Sequence, residues 1–435
     1  MPHISVVPPE ASLDQRMAIT VSDVPPGAVV QLRLRNHTLK AEAHADFRAS
    51  AAGLVDTAAD APIAGDYEGV DPSGLFWSAR FDQGADAATM IAALATLEPL
   101  SYTTSAAVAG VTAASVDFVR RLVASDVVVT PVREGRLRGT LCSPAGRRDV
   151  PGVIVLGGSD GGNPYTFVAA LLASHGMAAL SLAFFDFDDL PKSMIEIPVE
   201  YFAEAVDWLR ARDEVGRARV GALGFSRGGE AALLLGATVP DVAAVVALVP
   251  SSLTGGGISG TDFTAMAKPA WTLNGQPLPL LPPSRDPVSM KDAQEAFAGG
   301  KPFAARAGIL RGLEAAGSRV HDVAISVERI QGAILLMSGE DDQLWPSTWF
   351  AQFAEARLAN AGFQHAYEHR SYPGAGHFGC LPPNLPAATS VARHPLVPMQ
   401  FAFGGTPRDN AAAAADLWPR IVTFLRQHLA ASSTV

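Results

Sequence analysis

What this chain lacks narrows it first. Only two cysteines occur in 435 residues, Cys142 and Cys380, far apart and outside any CxxC or Cys/His spacing. That argues against a disulfide scaffold and a cysteine-ligated metal site, and favours a reduced compartment. Charge is scarce at 17% and lacks a basic excess, with a formal net charge of −10. Neutralising phosphates needs basic patches, so nucleic acid is not an expected partner. Residues 1–9 show neither a basic region nor a long apolar one, so no secretory signal is expected and the cytoplasm is the expected location. The most apolar run, 231–250, is broken by Pro240 and Asp241. It reads as a buried helix followed by a strand rather than a membrane span. No Gly-Lys-Ser/Thr, no GxGxxG and no metal-ligand cluster occurs, so neither a metal nor a bound cofactor is expected.

What is plentiful is core. Hydrophobic residues make up 48% of the chain, enough for two or three packed domains. Residues 1–82 read as all-β, with short strands expected at 18–21, 29–34, 43–47 and 75–81, divided by Gly, Pro and Asp. That spacing predicts an immunoglobulin-like β-sandwich. A connecting stretch follows, with a helical turn or loop at 87–97 and a strand at 111–122. The first domain is taken as 1–125.

From residue 126 the pattern changes. A hairpin is expected at 127–132 and 137–142, then strands and helices alternate. Strands are expected at 153–156, 177–183, 220–223, 242–249, 333–338 and 365–372. Helices are expected at 167–175, 199–212, 230–235, 348–360 and 409–429. This alternation predicts a mostly parallel, doubly wound sheet over 126–435. Prolines 277, 279, 282, 283 and 287 interrupt the rhythm, and 251–330 reads as a cap with one short helix at 303–316. A second proline-rich loop begins near residue 381.

The most informative stretch is Gly224-Phe-Ser-Arg-Gly228, between an apolar strand and a helix. Gly-x-Ser-x-Gly in that setting is a nucleophile elbow, a turn so sharp that Gly224 and Gly228 leave no room for a β-carbon. A serine hydroxyl needs a base, and the base needs an orienting carboxylate. Both should follow the serine in the chain and lie just past strand ends. Asp342, in Gly339-Glu-Asp-Asp-Gln-Leu-Trp-Pro346, is preferred to Asp341 as the acid. His377, in Pro373-Gly-Ala-Gly-His377, is the base, with His394 as its rival, while His365 and His369 read as strand residues that are exposed or packed. Two amides must hold the oxyanion: that of Arg227, and one near Ser159 or Asp160 in Gly157-Gly-Ser-Asp-Gly-Gly162. The Arg227 side chain is read either as structurally paired or solvated, or as a site for an acceptor's carboxylate or a coenzyme A phosphate.

These residues resemble the family of acyl-CoA thioesterases and bile acid-CoA:amino acid N-acyltransferases. The resemblance extends to Asp66-Tyr-Glu-Gly-Val-Asp-Pro-Ser-Gly-Leu-Phe-Trp-Ser78, to Val132-Arg-Glu-Gly-Arg-Leu-Arg-Gly-Thr-Leu141 and to Pro151-Gly-Val-Ile-Val-Leu-Gly-Gly158. It implies an N-terminal β-sandwich joined to an α/β-hydrolase domain, with Ser226, Asp342 and His377 as the triad. It also implies an acyl-CoA substrate, with coenzyme A only as part of that substrate. Two departures stand out. Ser159-Asp160 takes the place of a third small residue in the oxyanion turn, and the nucleophile is Ser where the N-acyltransferases resemble the pattern with Cys. The expectation is a thioesterase using water. Transfer to an amine or alcohol, carboxylesterase or lactone hydrolysis, and an inactive binding module are the alternatives.

Overall fold

The computed structural model describes residues 2–262, 264–283 and 286–431. Met1, within the stretch read for a secretory signal, lies outside the described residues.

The N-terminal part consists of two sheets. One has three strands and the other seven, the latter built on Val29–Asn36, Ala41–Arg48, Leu100–Val108 and Val111–Arg121. Alternating burial along Val29–Asn36 and Ala41–Arg48 shows why they are strands: every second side chain enters the core. The strand expected at 75–81 is corrected to a single helical turn, Gly74–Trp77, and a two-residue strand, Arg80–Phe81. The helical alternative at 87–97 is a helix, Ala87–Leu94, closed by a reciprocal cap between Asp86 and Thr89.

The second part is an eight-stranded sheet. Its strands in chain order are β1 (Val127–Glu134), β2 (Leu137–Pro144), β3 (Gly152–Leu156), β4 (Ala178–Ala183), β5 (Val220–Phe225), β6 (Val242–Leu248), β7 (Ala333–Gly339) and β8 (Tyr367–Tyr372). They lie side by side as β1-β2-β4-β3-β5-β6-β7-β8, parallel from β4 to β8. Strands β3 and β5 to β7 are buried along their whole length, as a sheet covered on both faces requires. Strand parity divides the core. Val153, Val155, Leu223 and Phe225 face helices α1 (Thr166–Ser174) and α7 (Pro407–Leu429), whereas Ile154, Leu156 and Ala222 face α2 (Val199–Arg210), α3 (Arg227–Thr238) and α6 (Ser347–Asn360). This is the α/β-hydrolase architecture.

Among its described residues the segment between β6 and β7 contains two α-helices where one helix was expected: α4 (Pro287–Phe297) and α5 (Arg306–Ala316). Asp286 caps α4 by accepting from Ser289 N, with Pro287 in the first turn, where its missing N–H costs nothing. Among the described residues no helix is long and apolar enough to cross a membrane.

The two parts share one core. Side chains of the N-terminal part, among them Leu13, Met17 and Phe118, belong to the same buried cluster as Trp418, Ile421 and Val422 of α7. Asp14 fastens the junction, accepting from Trp418 Nε1 at 2.8 Å and pairing with His175 Nε2. Burial opposes its ionisation, but hydrogen bonds from His175, Ser12 and Trp418 outweigh that and hold its carboxyl at about 2.

A carboxyl held below its unfolded value stabilises the fold above that unfolded value and loses the effect as pH falls through the folded one. Asp14→Asn should therefore cost about 2 kcal/mol of unfolding free energy at neutral pH. Measured by denaturant unfolding, the gap to wild type should shrink as pH drops from about 4 towards about 2. A gap that stays constant over that range would show that the carboxylate's charge plays no part.

Candidate active site

The chain turns from β5 into α3 at Ser226, whose φ of 54° and ψ of −116° are rare for a residue with a side chain. Its neighbours enforce the turn. A β-carbon on Gly224 would overlap the Gly228 carbonyl, and one on Gly228 would overlap the carbonyls of Gly157 and Leu156 at the end of β3. Leu156 and Gly224 are register partners, so the elbow lies against the turn that follows β3. Ser226 N donates to Leu248 O at 2.9 Å, fixing the turn to β6 as well.

Asp342 follows β7 and His377 follows β8, at the same edge of the sheet as Ser226. His377 Nδ1 and Asp342 Oδ2 are 2.8 Å apart, both residues buried. The other carboxylate oxygen accepts from Leu344 N at 3.0 Å and Trp345 N at 3.2 Å, so the loop's own backbone aims the carboxylate. With Nδ1 engaged by Asp342, Nε2 is the nitrogen left to exchange a proton. Trp345 stands edge-on to the imidazole at 5.7 Å and is itself held by Nε1 donating to Val249 O. Gly376, just before the histidine, is fixed by Asn410 Oδ1 at the start of α7. Asp341 faces elsewhere, accepting from Gly405 N at 2.9 Å and Gln343 Nε2 at 2.6 Å.

The rival histidine has different work. His394 Nδ1 accepts from Leu396 N and Val397 N at 3.2 and 3.3 Å, and Nε2 lies 3.0 Å from Ser159 Oγ. In the neutral ring the proton is then on Nε2, which donates to the serine. His369 is packed between Ser338 and Glu355, and His365 precedes β8.

In the turn after β3, Gly158 is the residue against the nucleophile: a β-carbon there would sit 3.5 Å from Ser226 Cβ. The amide of Arg227, first residue of α3, has no backbone acceptor among the described residues, as first-turn amides lack helical partners. The two expected partners, Ser159 and Asp160, follow Gly158 directly in this turn.

The Arg227 side chain is structurally paired, which excludes the anion-binding reading. It is buried, 2.6 Å from Glu230 and donating to Gly256 O at 3.0 Å. Glu230 in turn accepts from Trp271 Nε1 at 2.6 Å and Gly255 N at 2.9 Å. Burial pushes the Glu230 carboxyl up and the Arg227 guanidinium down, against their mutual attraction. Both cysteines are free and buried, and burial pushes Cys142 up to about 12 and Cys380 higher still. Cys380 donates to His377 O at 3.2 Å. Among the described residues no group of three or more His, Cys, Asp or Glu is placed to hold a metal ion.

A cavity of about 420 Å³ opens between the end of α4 and the loop around His394. Its walls include Phe297, Met399, Lys301 and Arg393. Sequence reasoning missed Trp345, Asn410 and the His394–Ser159 contact. The last joins residues 235 apart and leaves no local pattern.

Comparison with known proteins bears on the whole chain. Residues 197–431 match the family described as BAAT / Acyl-CoA thioester hydrolase C terminal, and residues 14–134 match the Acyl-CoA thioester hydrolase/BAAT N-terminal region. Acyl-coenzyme A thioesterase 2, mitochondrial, of Mus musculus is 33% identical over 433 residues, spanning 97% of this chain and 88% of its own. The peroxisomal succinyl-coenzyme A thioesterase of Mus musculus is 31% identical, spanning 96% and 94%. Acyl-coenzyme A thioesterase 1 of Mus musculus is 32% identical, again spanning 96% and 94%. Matched in both regions and along nearly its whole length, the chain belongs to the acyl-CoA thioester hydrolase/BAAT family.

Proposed function

We propose that this protein hydrolyses an acyl-CoA thioester through an acyl-Ser226 intermediate. The observation that carries the reading is the buried Asp342–His377 pair at the sheet edge where Ser226 is held at positive φ. His377 Nε2 takes the Ser226 proton as Oγ attacks the thioester carbonyl. The oxyanion is held by the amide of Arg227 and one in the turn after β3. The C–S bond breaks, the thiolate takes the proton from His377, and the acyl ester stays on Ser226. A water, deprotonated by His377, then attacks the ester carbonyl, the C–O bond to Ser226 breaks, Oγ takes the proton from His377, and the free acid leaves. Asp342 holds the imidazole throughout and favours its charged form. The scheme uses no metal and no cofactor beyond the coenzyme A of the substrate. The 420 Å³ cavity falls in the size range of small-molecule sites and is proposed to receive part of that substrate. The cytoplasm is the proposed compartment, on the two free, buried cysteines.

Water is proposed as the acceptor because an amino-acid acceptor needs a fixed cation for its carboxylate. The cation that follows the nucleophile in the chain, Arg227, is committed to Glu230 and Gly256.

Ser226→Ala should stay folded and lose several orders of magnitude in turnover, and a serine-directed phosphonate should label Ser226 alone. Asp342→Asn should lower kcat by about three to four orders of magnitude, while Asp341→Asn should change it less than about tenfold. Full activity in Ser226→Ala, or a worse defect in Asp341→Asn, overturns the assignment.

The acceptor is tested by mass spectrometry of the products. With an acyl-CoA and millimolar glycine or taurine, free acid should form and amide should not. Amide that saturates with amine and suppresses free acid would make the protein a transferase.

A further inference from the structure

Asp160 was of interest in the sequence only for its backbone amide, yet its side chain lies near the nucleophile. One point in space, the position of a β-carbon on Gly158, lies 3.5 Å from Ser226 Cβ and 3.2 Å from Asp160 Oδ2. The two atoms are therefore at most about 7 Å apart, close enough for the carboxyl to act on the space where a carbonyl attacked by Ser226 would become an oxyanion.

Every element packed around Asp160 has been considered for a counter-charge. From the start of α1, Tyr165 Oη donates to Oδ2 at 3.4 Å. From the loop after β8 comes His377, already paired with Asp342. From the loop around residue 394 comes His394, whose Nδ1 accepts two backbone N–H bonds and whose Nε2 serves Ser159. Burial holds that imidazole towards its neutral form. From the loop after β4, Asp186 approaches the neighbouring Gly161, with its charge met by Lys192 at 3.6 Å. Behind Tyr165 is Cys380, a buried thiol. Among the described residues no lysine or arginine pairs with Asp160. Asp160 is half-buried, and the loss of water around its carboxyl favours the protonated form, against the attraction of His394 and His377 and the hydrogen bond from Tyr165.

A carboxylate here would repel the charge that develops on the attacked carbonyl oxygen, because like charges a few ångströms apart in an enclosed site interact strongly. A neutral carboxylic acid would instead supply an O–H donor, as buried acids in oxyanion sites do.

We propose that Asp160 acts through its side chain, in the protonated form, as a pH-sensitive hydrogen-bond donor at the oxyanion site, an inference that rests on Ser226 being the nucleophile. The proton stays on Asp160 throughout. His377 alone carries the proton between Ser226, the leaving thiolate and water. Ionisation of Asp160 turns a donor into a repelling charge, so activity falls as pH rises through its ionisation.

The test is kcat/KM from pH 4.5 to 9.5 for wild type, Asp160→Asn and Asp160→Ala. An acyl-CoA and a p-nitrophenyl ester serve as substrates, so an error about the thioester does not obscure the result. Asparagine donates at every pH, so the ratio of Asp160→Asn to wild type should climb with pH by tenfold or more. Asp160→Ala, which cannot donate, should lie at least tenfold below Asp160→Asn throughout. A flat ratio, or an asparagine variant inferior by the same factor at every pH, overturns the proposal. Should Asp160→Asn fail to fold, a protonated-carboxyl infrared band in wild type, lost on alkalinisation and missing from Asp160→Ala, carries the test, and its absence from wild type overturns it. Activity surviving in Ser226→Ala would mark the failure of the serine reading instead.

Discussion

The structure depends on a strained turn. Ser226 occupies backbone space that costs on the order of 1–3 kcal/mol, and such a residue persists only where its surroundings leave no alternative. Here the surroundings are the carbonyl ends of β3 and the glycines that let them approach. The positive end of α3 then lies behind the serine. The same turn is fixed from the cap side. The Arg227–Glu230 pair reaches Trp271, Gly255 and Gly256, all beyond β6. Removing one member of such a buried pair strands the other and costs about 3–5 kcal/mol, so the cap and the elbow cannot shift independently.

The N-terminal sheets enter this arrangement through the loop after His377. Asn384 Nδ2 donates to Leu13 O at 2.8 Å, and Ala387 N donates to Trp77 O at 2.9 Å. That explains the conspicuous segment from Asp66 to Ser78 in physical terms. Asp71 accepts from Trp77 Nε1 at 2.7 Å, and a β-carbon on Gly74 would strike the Tyr67 ring. The segment is a compact knot that presents the Trp77 carbonyl to the loop carrying the histidine. The Pro-rich character of that loop fits its task, since proline restricts the chain before any contact forms.

Much of this was legible in the sequence because it follows local rules. Continuous apolar runs gave the buried parallel strands, and Gly-x-Ser-x-Gly between a strand and a helix gave the elbow. The failures are equally physical. Residues 75–81 look like a strand since Leu75, Phe76 and Trp77 are all buried, and one helical turn is too short to show a period. Helix α4 was missed although Asp286-Pro287 is a good start signal, because only Ala296 on it is buried and no apolar stripe marks it. The imidazoles near Ser159 and Asp160 come from loops more than two hundred residues away, where no spacing rule applies.

Three carboxyl groups lie around or behind one serine, and their surroundings set them apart. Asp342 accepts from two backbone amides and faces His377 Nδ1, an arrangement that orients the imidazole. Glu230 is buried as deeply but has a guanidinium at 2.6 Å and two further donors, which suits a structural pair. Asp160 has a tyrosine hydroxyl and two imidazoles with other commitments, and no standing cation. The same functional group is thereby an orienting anion, a structural tether and a neutral acid within one site. Asp342 and Glu230 are buried alike, so what separates those two is the donors each carboxyl meets.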